Sequence, residues 1–167
     1  MGRLVFMAML MLACVGVIVP MLDQASAPDV TLAEVRAEPD AVPGTRRTEI
    51  RADGAGHFYV RTNVNGRTAE MLADTGATVV ALRASEARRL GVPVDPSAFT
   101  ARVATANGEI AAARVRLASL EVENIRVANV DAVVLPDEAL GTNLLGMSFL
   151  KRLSRFEVGD NRLLMVE

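Results

Sequence analysis

Residues 57–73, HFYVRTNVNGRTAEMLA, alternate between apolar and polar side chains on either side of a single Asn-Gly pair. Phe58, Val60 and Val64 fall on one face of an extended chain, because successive side chains of a strand point to opposite sides. Asn65-Gly66 is the pair best suited to a type I′ turn, in which both central residues have positive φ. The segment therefore predicts two antiparallel strands joined by a tight turn.

Three further turn signals divide the rest of the chain into strands. They lie at Asn107-Gly108, at Glu123-Asn124 and at residues 159–161, and each separates two runs rich in β-branched residues. Two short helical patterns interrupt the strands. One is residues 85–91, with Ser85 as N-cap and Gly91 as stop, and the other is the spacing of Met147, Leu150 and Leu153. We expect an all-β domain over residues 57–167 with one or two short helices, a size ordinary for one hydrophobic core.

The N-terminal part of the chain has a different character. Residues 4–22 contain no charge and, as a helix, would span about 28 Å. Residues 1–22 are therefore predicted to be one transmembrane helix, an anchor, or else a cleavable signal segment, which the small residues at 25–27 leave open. Arg3 before the apolar run, and no later basic residue until Arg36, favour export of the rest of the chain. Residues 23–56, with three prolines, are predicted to be a mostly irregular tether.

Composition excludes several classes of function. The chain has 167 residues and a net charge of −2, with no basic stripe and no aromatic-rich face, so a nucleic-acid partner is not expected. Cys14 is the one cysteine and His57 the one histidine, which rules out an intrachain disulfide and a Cys/His zinc site. We predict that the protein uses no metal and no other cofactor.

One carboxylate stands out. In MLADTGATVV, residues 71–80, Asp74 is followed at once by Thr75 and Gly76 and is flanked by apolar residues on both sides. A plain turn would explain it, with Asp and Thr oxygens bonding nearby amides and Gly at positive φ. The apolar flanks instead predict an interior turn, and a lone buried charge is expensive unless it is satisfied locally or serves chemistry.

Two more features accompany this turn. A glycine-bearing hairpin tip lies about thirty residues later, and NLLG opens a helix near the C-terminus. In this order, the motifs resemble the retropepsin-like aspartic proteases, the single-domain relatives of pepsin, and most of all the bacterial members that carry DTGAT and LLGMSFL behind a membrane segment. The resemblance covers roughly residues 57–167. It implies a closed β-barrel or sandwich, equivalent to half of pepsin, with a flap hairpin over the substrate.

The resemblance also implies roles for individual residues. Asp74 would be the catalytic acid, and the Gly76 amide would bond its carboxylate. Thr75 would donate its hydroxyl to a second copy of the chain. The flap and the cleft walls follow family geometry, with Leu82 and Val134 expected in the cleft. The remaining support residues are Ala77, Leu144, Leu145 and Gly146, and the flap tip is Thr105, Ala106, Asn107 and Gly108.

A protease of this kind needs two carboxylates, and this chain has a single Asp-Thr-Gly. A C2 homodimer would bring two copies of Asp74 together, and the terminal strands, including RLLMVE at residues 162–167, would contribute to the interface. We therefore predict an aspartic endopeptidase whose partners are a second copy of itself, a peptide or protein substrate, and the bacterial inner membrane. The catalytic domain would face the periplasm on a single-pass anchor.

A second function uses the same fold. The domain could be a catalytically silent binding or dimerisation module at the membrane surface. Replacing Asp74 distinguishes the two hypotheses, because a protease would lose peptide cleavage while a module would keep its whole function.

Overall fold

The computed structural model describes residues 44–105 and 108–167. The predicted membrane or signal segment, residues 1–22, and residues 23–43 of the predicted tether lie outside this part. No helix within the described ranges is long and apolar enough to cross a membrane. The membrane anchor therefore stays a prediction from the sequence.

The described residues form ten strands and two short α-helices. Two short 3-10 helices, Pro96–Ala98 and Asp137–Ala139, lie in the segments that connect these strands and helices. The strands are β1 (Arg47–Arg51), β2 (Tyr59–Val64), β3 (Arg67–Ala73), β4 (Val80–Arg83), β5 (Ala101–Thr105), β6 (Gly108–Val122), β7 (Ile125–Leu135), β8 (Leu144–Leu145), β9 (Arg155–Gly159) and β10 (Arg162–Val166). The helices are α1 (Ala84–Arg89) and α2 (Met147–Leu150).

The strands form two sheets. The larger has the order β2-β3-β8-β4-β7-β6-β5, and β2 also pairs with β6 through residues 62–64, which closes the sheet on itself. β5 stands outside the closed part, since it pairs with β6 alone. The smaller sheet has the order β1-β10-β9. The prediction of a closed, mostly β domain with few short helices is confirmed.

The hairpin predicted at residues 57–73 is present. β2 and β3 pair antiparallel from Tyr59 opposite Leu72 to Val64 opposite Arg67. Asn65 has φ 51° and Gly66 φ 88°, the two positive angles that a type I′ turn needs. The turns predicted after β6 and β9 are also present, with positive φ at Glu123 and at Asp160 and Asn161.

Two hydrophobic clusters lie on opposite faces of the larger sheet. The main cluster fills the barrel and includes Met71 and Phe149, and it takes Leu163 and Met165 from β10. The smaller sheet is therefore held to the barrel mainly by its central strand, with half-buried Ile50 of β1 and Phe156 of β9 packed beside it. The second cluster is small and only partly covered. Its buried members are Ala81, Ala112, Val133 and Leu135, and half-buried side chains such as Val79, Val103 and Leu144 surround them.

The folded domain starts earlier than predicted. β1 pairs antiparallel with β10, so residues 47–51 of the tether that is predicted to be mostly irregular form a strand, and the domain begins before residue 57. Thr48 is 2% exposed and Ile50 is half-buried, whereas the residues between and beside them are exposed. This alternation in RTEIR is a strand signal. It is short and charged, and only the pairing with β10 makes a strand of it.

The start of α1 also differs from the prediction. The N-cap is Arg83, which makes no side-chain capping bond, and Ser85 lies in the first turn. Instead, the N–H and the hydroxyl of Ser85 both donate to Asp137 Oδ1 at 2.9 Å. These two bonds favour the ionised form and lower the pKa of Asp137 below its ordinary value. They tie the start of α1 to the segment that leads into β8.

Candidate active site

The Asp-Thr-Gly turn joins β3 to β4, and its backbone is fixed from several directions. Asp74 N–H donates to Leu145 O at 3.1 Å, and Ala77 N–H donates to Asp74 O at 3.3 Å. The expected bond from Gly76 is present, because its N–H donates to Asp74 Oδ1 at 2.8 Å. No hydrogen-bond partner for Asp74 Oδ2 occurs in residues 44–105 and 108–167. One carboxylate oxygen is thus fixed and the other is available.

Glycine occupies position 76 because a side chain there would crowd the Asp74 carboxylate. Its φ is not positive, so the left-handed conformation expected of a plain turn is absent. A Cβ at this position would lie 3.1 Å from Asp74 Oδ1. The missing side chain lets the amide approach the carboxylate closely.

β8 holds the two arms of the turn together. It runs parallel to β3, with Leu144 opposite Leu72, and antiparallel to β4, with Leu144 opposite Ala81. Leu145 is fully buried in the main core and Leu144 is half-buried on the other face. Two residues thereby connect the entering and leaving strands of the Asp74 turn.

Gly146 packs directly against the end of this turn. A Cβ there would lie 2.2 Å from Val79 O and 2.8 Å from Ala77 O, both backbone atoms. Immediately afterwards, Met147 N–H donates to Ala77 O at 2.8 Å. The structure thus brings Ala77, Leu145 and Gly146 together at the Asp74 turn.

Two polar residues of this support were not predicted. Asn143, 7% exposed, donates from Nδ2 to Glu70 O at 3.1 Å and accepts at Oδ1 from Arg83 N–H at 3.0 Å. Ser148 Oγ accepts from Val80 N–H at 3.0 Å and donates to Asp131 O at 2.6 Å. Their signal in the sequence was a polar residue on either side of an apolar LLGM.

The surface position of the turn corrects one expectation. Thr75 and Gly76 are exposed and Asp74 is half-buried, so the turn is not interior to the single chain. Behind it, Met71 and Val80 are buried in the main core, and Ala73 and Val79 are half-buried against the main core and the second cluster respectively. Among the described residues, the Thr75 hydroxyl has no hydrogen-bond partner.

The predicted flap corresponds to the β5–β6 hairpin. Thr105 pairs with Gly108, and its Oγ1 donates to Gly108 O at 2.9 Å. Ala106 and Asn107 lie outside the described residues. β5 is an edge strand with no buried residue, and it pairs with fewer strands than any strand of the barrel.

A groove of about 890 Å³ lies between the flap strand and the end of the Asp74 turn. Thr78 and Val79 line one side, and residues 101–104, 114–116 and 131–133 line the others. The expectation that Leu82 and Val134 line the cleft is wrong. Both are fully buried in the main core, because alternation along β4 and β7 turns them to the inner face.

β10 does not have the free edge that a dimer strand would need. Both of its edges are occupied, by β1 and by β9. Residues 162–167, which are expected to contribute to a dimer interface, therefore cannot do so by adding a strand to a partner's sheet, and a contribution through their side chains stays a prediction. Among residues 44–105 and 108–167, no strand pairs with the outer edges of β1 and β9 in the smaller sheet.

The family model described as "gag-polyprotein putative aspartyl protease" matches residues 60–152. The chain belongs to the retropepsin-like aspartic proteases. The matched range contains the Asp74 turn, the β5–β6 hairpin and the LLG segment in the predicted order.

Individual relatives agree with this assignment. An uncharacterized protein of Sinorhizobium is 36% identical over 108 residues, or 65% of this chain and 46% of that protein. One of Rickettsia prowazekii is 33% identical over 124 residues, or 70% of this chain and 49% of that protein. The chain thus spans about half the length of the curated relatives it matches.

Two solved structures share the fold. A retropepsin-like aspartic protease from Rickettsia conorii superposes with a TM-score of 0.64 at 33% identity, covering 73% of this chain and 91% of that one. The EIAV protease in complex with the inhibitor HBY-793 has a TM-score of 0.51 at 16% identity, covering 62% and 93%. The second likeness concerns the fold alone.

Proposed function

We propose that this protein is an aspartic endopeptidase whose catalytic dyad consists of two copies of Asp74, one from each chain of a homodimer. The observation that carries the proposal is the state of Asp74 in the single chain. Its backbone and Oδ1 are fixed, Oδ2 is unpartnered among the described residues, and the turn that bears it is exposed. A chain with one such acid provides half of a two-carboxylate site.

Two carboxylates a few ångströms apart divide the chemistry between them. They do not both ionise readily, so they share one proton. The ionised acid takes a proton from a water molecule, whose oxygen attacks the peptide carbonyl carbon, while the protonated acid donates to the carbonyl oxygen. The tetrahedral intermediate collapses when the C–N bond breaks and the amine leaves with a proton from the dyad. This is the general mechanism of aspartic proteases.

The exposed Thr75 supports a symmetric contact at the same place. Its hydroxyl, without a partner in the described part of the chain, would donate across the axis to the second copy. Burial of two such turns against each other would cover the exposed Thr75 and Gly76. The interior environment expected from the apolar flanks would then exist in the dimer.

The substrate class that fits the site is an extended peptide. The second apolar cluster lies on the face next to the Asp74 turn and is covered on its outer side by the flap strand and its half-buried Val103. An apolar side chain of a peptide would fit there once the hairpin moves aside.

The test uses the full chain purified in detergent. We expect a dimer by light scattering and cleavage of a peptide library, with cleavage abolished in Asp74→Asn and the dimer retained. Asp160→Asn is the matched control, because it makes the same change in a turn between β9 and β10 where Asn tolerates positive φ. Cleavage by a strictly monomeric enzyme would contradict the shared dyad. A dimer that cleaves nothing would favour the silent binding module.

The axis itself is open to a direct test. In a Cys14→Ser background, Thr75→Cys should form an intermolecular disulfide under mild oxidation, because two Thr75 residues would meet at the axis. Ser154→Cys, on the exposed surface after α2, should not. If a dimeric preparation of Thr75→Cys formed no crosslink, the two Asp74 turns would not meet at the dimer axis.

We further propose that residues 1–22 anchor the chain in the bacterial inner membrane with the protease domain on the periplasmic side. The support is the uncharged run of residues 4–22, with Arg3 before it. Carbonate-washed membranes should retain the chain, and protease added to spheroplasts should digest the domain. Release of the whole protein into the periplasmic fraction would favour a cleaved signal segment instead.

A further inference from the structure

The groove beside the Asp74 turn carries an excess of positive charge. Arg102, Arg114 and Arg116 line it, together with a single acid, Asp131. The chain as a whole has a net charge of −2, so this concentration of arginine is local. A concave surface lined by one sign of charge attracts ligands of the opposite sign.

The ion pairs leave most of this charge uncompensated. Arg116 pairs with Asp131 at 2.9 Å, which neutralises the acid that lines the groove. Arg102 comes no closer than 3.8 Å to Glu109, and both side chains are more than two-thirds exposed. Arg114 has no ion-pair partner within residues 44–105 and 108–167. Arg114 and Arg102 therefore remain as two cations open to a ligand.

The position of the groove connects these cations to the active site. Thr78 and Val79, four and five residues after Asp74, form its inner wall, and the flap strand forms the opposite wall. Val79 and Val103 belong at the same time to the second apolar cluster. A peptide seated at the Asp74 turn would thus place its central side chains on the apolar cluster and its outer residues along the arginines.

We propose that the groove is an outer subsite that selects acidic side chains in the substrate peptide, a preference that rests on the endopeptidase function proposed above. The site adjoining the cut takes apolar side chains, and an Asp or Glu further from the cut meets Arg114 and Arg102. Because a C2 dimer has two such grooves, an acid on either side of the scissile bond is favoured.

The first test varies one peptide that the wild-type enzyme cleaves. Glu, Gln and Lys are placed in turn at each position from the second to the fifth residue on both sides of the cut. Glu should raise kcat/KM over Gln by roughly two- to fivefold at the outer positions, with Lys lowering it by a similar factor. The preference should shrink at 1 M salt, where the Debye length is about 3 Å instead of about 8 Å.

The second test varies the protein. Arg114→Gln should remove most of the preference for Glu over Gln, mainly by raising KM for the Glu peptide and leaving kcat little changed. Arg126→Gln is the matched control, because Arg126 lies at the other end of the same β6–β7 strand pair and binds Glu121. A preference for Glu that survives in Arg114→Gln and in Arg102→Gln would overturn the inference.

Binding separates this inference from the endopeptidase proposal. In the Asp74→Asn variant, fluorescence anisotropy should still show tighter binding of the Glu peptide than of the Gln and Lys peptides. Cleavage without any acidic preference would overturn the subsite and leave the endopeptidase intact. If the wild type cleaves no peptide, equal binding of the three peptides by Asp74→Asn would overturn the subsite as well, and tighter binding of the Glu peptide would support it.

Discussion

The Asp74 turn and the β5–β6 hairpin face the same groove but are held very differently. The turn is bonded to residues about seventy positions further along the chain, through Asp74 to Leu145, Ala77 to Met147 and Val80 to Ser148. The hairpin strand β5 pairs only with its neighbour β6, and none of its five residues is buried. Under the proposed function, a catalytic carboxylate at Asp74 would need this fixed position, whereas a flap would have to move before a peptide could enter.

This difference shows how one small domain combines a fixed turn with a strand that is free to move. Non-local hydrogen bonds tie the Asp74 turn to β8 and α2, so we expect the turn to open only together with the core of the fold. Few neighbours and an exposed strand place the flap at the low end of local stability. Substitutions around the Asp74 turn and in the β5–β6 hairpin test this difference in local stability.

Gly146→Ala should have the largest effect. The new Cβ would overlap Val79 O at 2.2 Å, so either the turn or β8 must move. We expect a loss of about 3 kcal/mol in the free energy of unfolding, measured by urea denaturation. Gly141→Ala is the control, since nothing lies within 4 Å of its Cβ and its φ is not positive. Equal stability of the two variants would show that close packing at Gly146 does not hold the Asp74 turn in place.

Asn143→Ala should cause the second-largest loss in the free energy of unfolding. It leaves Glu70 O and Arg83 N–H without their partner in a nearly buried site, which costs about 2 kcal/mol. Asn143→Asp keeps an acceptor for Arg83 and loses the donor to Glu70. An Asp variant as stable as the wild type would mean that the bond to Glu70 contributes nothing.

Ser148→Ala should cost about 1 kcal/mol, because it removes the hydroxyl that bridges Val80 N–H and Asp131 O. Ser154→Ala, an exposed serine just beyond α2, provides the matched control. Peptide cleavage at saturating substrate should also fall in Ser148→Ala, since Val80 lies just after the Asp74 turn. Wild-type stability together with wild-type cleavage would remove Ser148 from the support.

Thr105→Ala tests the other side of the comparison. Its bond to Gly108 O is exposed, so the free energy of unfolding should change by less than about 0.5 kcal/mol. Hydrogen exchange in the wild type should be faster for β5 amides than for those of Asp74 and Met147. Protection of β5 equal to that of the turn would contradict a mobile flap.

The smallest expected effect is a change in how Tm depends on pH. Because Ser85 lowers the pKa of Asp137 in the folded chain, this contact stabilises the fold above the ordinary aspartate pKa of 3.8. The contribution is lost as the pH falls through the lower, folded value. Asp137→Asn should therefore reduce the difference in Tm between pH 6 and pH 3. An unchanged difference would show that the contact does not contribute.

Much of the fold could be predicted because its signals are local. Alternation in β2 and β3, and the Asn-Gly pair between them, specify a hairpin whatever surrounds it. Asn143 and Ser148 could not be assigned, because their partners lie far away in the chain and only the packing of β8 and α2 brings them together. Strand β1 was missed for the same reason, since five residues of RTEIR form a strand only beside β10.

The sequence by itself determined the mostly β character and the positions of the tight turns, because these depend on side-chain alternation and on short motifs. The link between Asp-Thr-Gly and Leu-Leu-Gly followed from the resemblance to a family. The tertiary structure decided which side chains lie inside and which face outward. It placed the Asp74 turn at the surface, moved Leu82 and Val134 into the core, and gathered arginines from two strands along one groove. Burial depends on which distant elements pack together, and no local pattern specifies that.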